Sequence, residues 1–139
     1  MNKKQEQQIK KVAEKMNLKY LYLFGSQARG DVKPLSDFDF AVKFDGRTKN
    51  KFKAKLKLMN ELTGIVKKEN VDVVDMEKAN PLLSFNVIKD GKILYCRNKS
   101  EQVMDKFRIM QIYFDRDYYY ERHFKKTIDL MARGEYEQL

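Results

Sequence analysis

Leu21-Tyr22-Leu23-Phe24-Gly25-Ser26-Gln27-Ala28-Arg29-Gly30, followed after a short gap by Ser36-Asp37-Phe38-Asp39-Phe40-Ala41-Val42, is the stretch around which the chain is organised. Tyr20 to Phe24 is continuously apolar, as a strand covered on both faces requires. Gly25 permits a backbone path that a Cβ would hinder, and Ser26 is a natural N-cap for a short helix over Gln27 to Arg29. Free N–H groups at a helix start attract phosphate oxygens. Residues two apart on a strand share a face, so Asp37 and Asp39 stand side by side while Phe38, Phe40 and Val42 pack inward. Two carboxylates about 5 Å apart repel by roughly 3 kcal/mol at an effective dielectric near 20. A divalent cation offsets that repulsion, and Mg²⁺ prefers carboxylate oxygens together with substrate phosphates. The pattern therefore reads as a phosphate-cradling turn facing a carboxylate metal site.

Outward from this centre, Ile9, Val12, Ala13 and Met16 mark an amphipathic helix over residues 3 to 16, with Asn17 as its stop. Pro34 argues for a loop between Gly30 and Ser36. Asp37 to Phe44 is a strand antiparallel to the first, because the connection is short. Phe52, Leu56, Met59, Leu62 or Thr63, and Val66 recur at helical spacing over 48 to 67, with Lys49, Lys51, Lys53, Lys55 and Lys57 on a solvated face. Val71-Asp72-Val73-Val74-Asp75 is β-branched and extended. Asp72 and Val74 share one face of it, and a charge at Asp72 is costly unless paired or coordinated. Asp75 suits a turn or cap at the strand end. Pro81 starts a helix that ends near Asp90-Gly91, and Lys92 to Cys96 is a further strand. From Ser100 a long helix carries Val103, Phe107, Met110 and Phe114 in one stripe, then Tyr118-Tyr119-Tyr120, Ile128 and Met131.

The fold class expected is α+β, a small mixed β-sheet flanked by helices with a long C-terminal helix. Residues 1–98 make the core and 99–139 a helical extension of the same domain. The 139 residues suit one domain, and 42% hydrophobic with 35% charged content suits a globular one. Cys96 is the only cysteine, which excludes an internal disulfide framework and fits a reducing cytoplasm. No apolar run reaches the ~18 residues of a membrane span, and the Lys/Gln-rich start is not a signal peptide. The formal net charge of +9 favours acidic partners without choosing among them, and the 20 acidic residues are dispersed among the basic ones rather than leaving one binding stripe.

Gly25-Ser26, ten residues, then Asp37-Phe38-Asp39 resembles the GSx10DxD signature of the DNA polymerase beta-like nucleotidyltransferase superfamily. The string GSQARGDVKPLSDFDFAV is similar to the minimal nucleotidyltransferases (MNT) that serve as antitoxins to HEPN-domain toxins. The resemblance covers the chain to about Tyr95. It implies a nucleotidyltransferase fold, with Asp37 and Asp39 as metal ligands and Asp72 as the third carboxylate, on metal or as general base. It implies ATP over Gly25 and Ser26, and transfer of AMP to a tyrosine of the HEPN toxin. Arg29 either neutralises phosphate charge or pairs with Asp31. Acceptors of another kind, RNA 3′ ends or a small-molecule hydroxyl, and neutralisation by binding alone are the alternatives; the chain has no recognisable RNA-binding module, so nucleic acid is not favoured. Arg116 and His123 match the RxxxxxxH spacing of HEPN ribonucleases, but one tail helix cannot build a HEPN bundle.

Overall fold

Asn2 opens the chain's first helix with a capping box: its side chain accepts from Gln5 N–H, and Gln5 returns a bond to Asn2 N–H. The computed structural model describes residues 1–25, 28, 37–67 and 70–134, with the backbone alone at 117–120. Helix α1 spans Lys3–Lys15, and Asn17 follows it at a positive φ of 54°. Strand β1 is Tyr20–Phe24 and strand β2 Phe38–Lys43, one residue inside each end of the expected strand. Helix α2 is Lys51–Val66, β3 Val71–Asp75, α3 Pro81–Asp90, β4 Lys92–Cys96 and α4 Lys99–Ala132. Side chains of Asn50, Asn80 and Asn98 cap α2, α3 and α4 in turn, each accepting from the N–H three residues on.

The sheet order is β3-β2-β1-β4. β1 pairs antiparallel with β2 and with β4, and β2 runs parallel to β3. The sheet is thus mixed, and the fold α+β as expected. Strand alternation splits the core in two. Leu21, Leu23, Phe38, Phe40, Val42, Val71 and Val73 bury against Ile9 and Ala13 of α1 and Leu58, Leu62 and Val66 of α2. Tyr20, Tyr22 and Ala41 face the other way, against Val87 and Ile88 of α3, with Ile109 and Met110 of α4 at the margin.

Two faces differ from the expectation. Phe52 and Leu56 are exposed, because α2 meets the sheet along Leu58, Leu62 and Val66 and its first turns overhang the edge. The stripe expected to dock α4 is exposed at Phe107 and Phe114, although Phe114 still meets the Phe85 ring edge-on. Beside the contacts of Ile109 and Met110, polar groups bury the start of α4: Tyr20 Oη donates to Asp105, and Gln102 Nε2 donates to Tyr22 Oη at 2.6 Å. Arg108 holds the same Asp105 carboxylate. Burial opposes the charge on Asp105, but the bonds from Tyr20 and Arg108 outweigh it and hold its pKa below the ordinary carboxylate value. Burial and that same carboxylate push the Tyr20 phenol far up, so it remains a donor. The aspartate beyond β2, Asp45, is held far below its usual range by Arg97 and by the Arg47 backbone, which ties the β2 end to the β4 end.

Candidate active site

Three strands end or begin at one end of the sheet, and their registers decide which side chains meet there. Phe24 lies opposite Asp39, and Asp39 lies opposite Asp72. One line across β1, β2 and β3 therefore carries the β1 end, Asp39 and Asp72, at strand spacings of about 4.8 Å. Phe38 and Phe40 belong to the α1–α2 core, so Asp37 and Asp39 face the α3–α4 side. Asp72 faces that side too, because Val71 and Val73 are in the same core as Phe38. The cover from α3 reaches Ala41 but stops short of the carboxylates. Asp39 is half-buried, and Asp37 and Asp72 are exposed.

Gly25 ends β1 at a φ of +76°, where only glycine is free of strain. A Cβ built on it would lie 2.6 Å from Asp39 Oδ2. The glycine turn and the carboxylate are thus in direct contact, and the missing side chain is what lets them approach. Partial burial raises the Asp39 pKa, and the charges of Asp37 and Asp72 raise it further. A carboxylate that resists ionisation for those reasons is one that a cation would favour strongly.

The sequence-derived site residues sort as follows. Gly25, Asp37, Asp39 and Asp72 are brought to one end and one side of the sheet. Ser26 and Arg29 lie outside the described residues, as does the loop to Ser36; of the short helix expected over Gln27 to Arg29 only Ala28 is described, and its backbone is helical. Asp72 has a feature that alternation did not foretell: its Oδ1 accepts from Val73 N–H at 2.9 Å, which turns it toward the sheet edge. Among the described residues no three His, Cys, Asp or Glu side chains converge tightly enough to hold a metal ion. The three aspartates share a face and feel one another's charge, but a closed trio is not preformed. The pair Asp37 and Asp39 still offers hard oxygen donors of the type Mg²⁺ takes.

The family model for polymerase beta nucleotidyltransferases matches residues 7–100. The chain belongs to this family. Another relative is the protein adenylyltransferase MntA of Aphanizomenon flos-aquae, 33% identical over 103 residues, 66% of this chain and 64% of that protein. The nucleotidyltransferase chain thus spans about two-thirds of the length of that relative. A chain of a toxin–antitoxin crystal structure with AMP-PNP superposes at a TM-score of 0.72, 24% identical, covering 88% of this chain and 98% of that one. A chain of the complex between a tri-AMPylated Shewanella oneidensis HEPN toxin and its MNT antitoxin superposes at 0.63, 21% identical, over 89% and 98%. These likenesses show the nucleotidyltransferase fold.

Sequence reasoning missed Lys51, Lys55 and Lys78, which gather beside Asp72 along the β3 edge. Lys51 pairs with Glu77. In the sequence Lys51 and Lys55 look like ordinary members of a lysine-rich helix face; only the overhang of α2 separates them from the rest. Among the described residues no helix is long and apolar enough to cross a membrane.

Proposed function

We propose that this chain is a Mg²⁺-dependent protein adenylyltransferase and antitoxin, moving AMP from ATP onto a tyrosine of a HEPN-domain toxin. One observation carries the reading: a glycine turn at positive φ lies against a carboxylate that is in register with a second acidic residue. The matching MntA, by its name, supports protein as the acceptor class. In this reading residues 1–98 are the catalytic core and 99–139 its helical extension. The single cysteine suits a cytoplasmic setting.

The Gly25 backbone and the Ser26 hydroxyl bind β- and γ-phosphate oxygens, and Arg29 neutralises phosphate charge. Asp37 and Asp39 would hold the metal, whose charge offsets the burial and the neighbouring carboxylates that raise the Asp39 pKa. Mg²⁺, when bound, lowers the cost of charge developing on the phosphates. Asp72 joins the metal or takes the proton from the tyrosine hydroxyl. The phenol oxygen bonds to the α-phosphorus, the bond from that phosphorus to the β-phosphate oxygen breaks, and pyrophosphate leaves.

The test is incubation with α-labelled ATP, Mg²⁺ and the HEPN protein encoded beside the chain's gene. The expected result is label on a tyrosine of that protein, lost with Asp39→Asn. Complex formation without label, or label on RNA instead, would overturn the assignment.

A further inference from the structure

β3 is the last strand in the order, so among the described residues one of its edges has no neighbouring strand. The ladder to β2 tells which groups that edge presents. Phe38 N–H donates to the Asn70 carbonyl and Met76 N–H to the Val42 carbonyl, with Phe38 opposite Val71 and Val42 opposite Asp75. In a parallel ladder Asp72 and Val74 then bond β2, and Val73 and Asp75 turn their N–H and C=O groups outward. The turn after β3 takes the Asp75 carbonyl, through Lys78 and Ala79 N–H. Asp72 Oδ1 takes the Val73 N–H. Among the described residues the Val73 carbonyl and Asp75 N–H have no strand beside them.

A groove of about 330 Å³ follows this edge, with Asp72 to Asp75 as its floor. Its walls include Phe52 and Lys55 of α2, Lys78 and Asn80 on the approach to α3, and Leu83 in the first turn of α3. The two helices pack on opposite faces of the sheet, so a groove lined by both lies outside β3. Lys55 and Lys78 have no ion pair among the described residues, and Phe52 is 64% exposed. Unpaired strand edges are templates for strand addition. Two cations and an aromatic wall select an acidic segment that carries a ring.

We propose that this groove receives the acceptor: an extended, acidic segment of the HEPN protein adds alongside β3 and carries its tyrosine past Asp72. The proposal rests on the nucleotidyl-transfer reading. An incoming backbone carbonyl replaces Asp72 Oδ1 on the Val73 N–H. The released carboxylate turns to the Asp39 side and takes the phenolic proton as the phenol oxygen displaces pyrophosphate from the α-phosphorus. Acceptor docking thereby completes the carboxylate set that the isolated chain leaves open, and protects ATP from attack by water until the acceptor is in place.

The experiment uses the full chain with Lys55→Glu and Lys78→Glu together, and Lys57→Glu, on the exposed side of α2, as control. The double variant is expected to raise KM for the HEPN protein about tenfold, with KM for ATP and the thermal midpoint unchanged. Hydrogen exchange supplies a readout that needs no turnover: amides of residues 71–75 slow when the HEPN protein is added to wild type, and do not slow with the double variant. Wild-type transfer with an unchanged KM in the double variant, or no protection at residues 71–75, overturns the docking site and leaves the activity standing. Absence of transfer by the wild type overturns the activity itself.

Discussion

Replacing Gly25 by alanine separates stability from activity at a single atom. The residue sits at φ +76°, where a Cβ costs about 1–2 kcal/mol. For a chain of this size that lowers the melting midpoint by roughly 3–10 °C, so the variant remains folded at 25 °C. The added methyl would lie 2.6 Å from Asp39 Oδ2, whereas ordinary contact begins at 3.4 Å. Restoring that separation displaces the carboxylate by about 0.8 Å. Misplacement of a reacting geometry on the order of 1 Å costs about 10²-fold in rate. Thermal melting and initial rates of label transfer to the HEPN protein, measured on the same preparation, read both effects. A folded Gly25→Ala protein transferring within about threefold of wild type would refute the argument that this contact sets the Asp39 position.

Asp39→Asn is expected to abolish transfer while raising metal-free stability by no more than about 1 kcal/mol, since Asp37 and Asp72 are exposed and their repulsion is screened. Because folding raises the Asp39 pKa, its ionisation destabilises the fold; the stability gap between variant and wild type should open as pH rises through the carboxylate range and vanish below it, in melts taken from pH 3 to 7. Asp105→Ala leaves the buried Tyr20 hydroxyl without its partner and should cost about 1–3 kcal/mol, seen as a lower melting midpoint and faster amide exchange in the first turns of α4. The folded Asp105 pKa is depressed, so its contribution is present above the unfolded value near 4 and is lost as pH falls through the folded one; α4 should loosen in acid, by the same exchange measurement.

The end of β1, the Gly25 turn and the Asp37–Asp39 spacing were legible because each rests on local rules: an unbroken apolar run, a residue that tolerates positive φ, and a period of two. Asp72 was legible as a charge inside a buried strand. Its register with Asp39 was not, since parallel pairing across a connecting helix leaves no mark in composition. Its turn toward Val73 N–H was hidden too, because an edge is defined by which strand is absent. The docking of α4 went unread for a different reason. Asp105 and Gln102 are polar and belong on a surface by any hydropathy count; they are buried only because Tyr20 and Tyr22 present hydroxyls on the sheet face beneath them. Two tyrosines two apart in a buried strand were the available signal, since buried phenols require partners. Phe52 and Leu56 misled because helical period alone does not say where along a helix the sheet ends.

The most direct measurement is a Mn²⁺ titration followed by electron paramagnetic resonance, with a non-hydrolysable ATP analogue, on wild type and Asp39→Asn. The account predicts nucleotide-dependent Mn²⁺ binding by the wild type, weakened on the order of 100-fold in the variant. Equal binding by the two proteins, or none by the wild type, would contradict it.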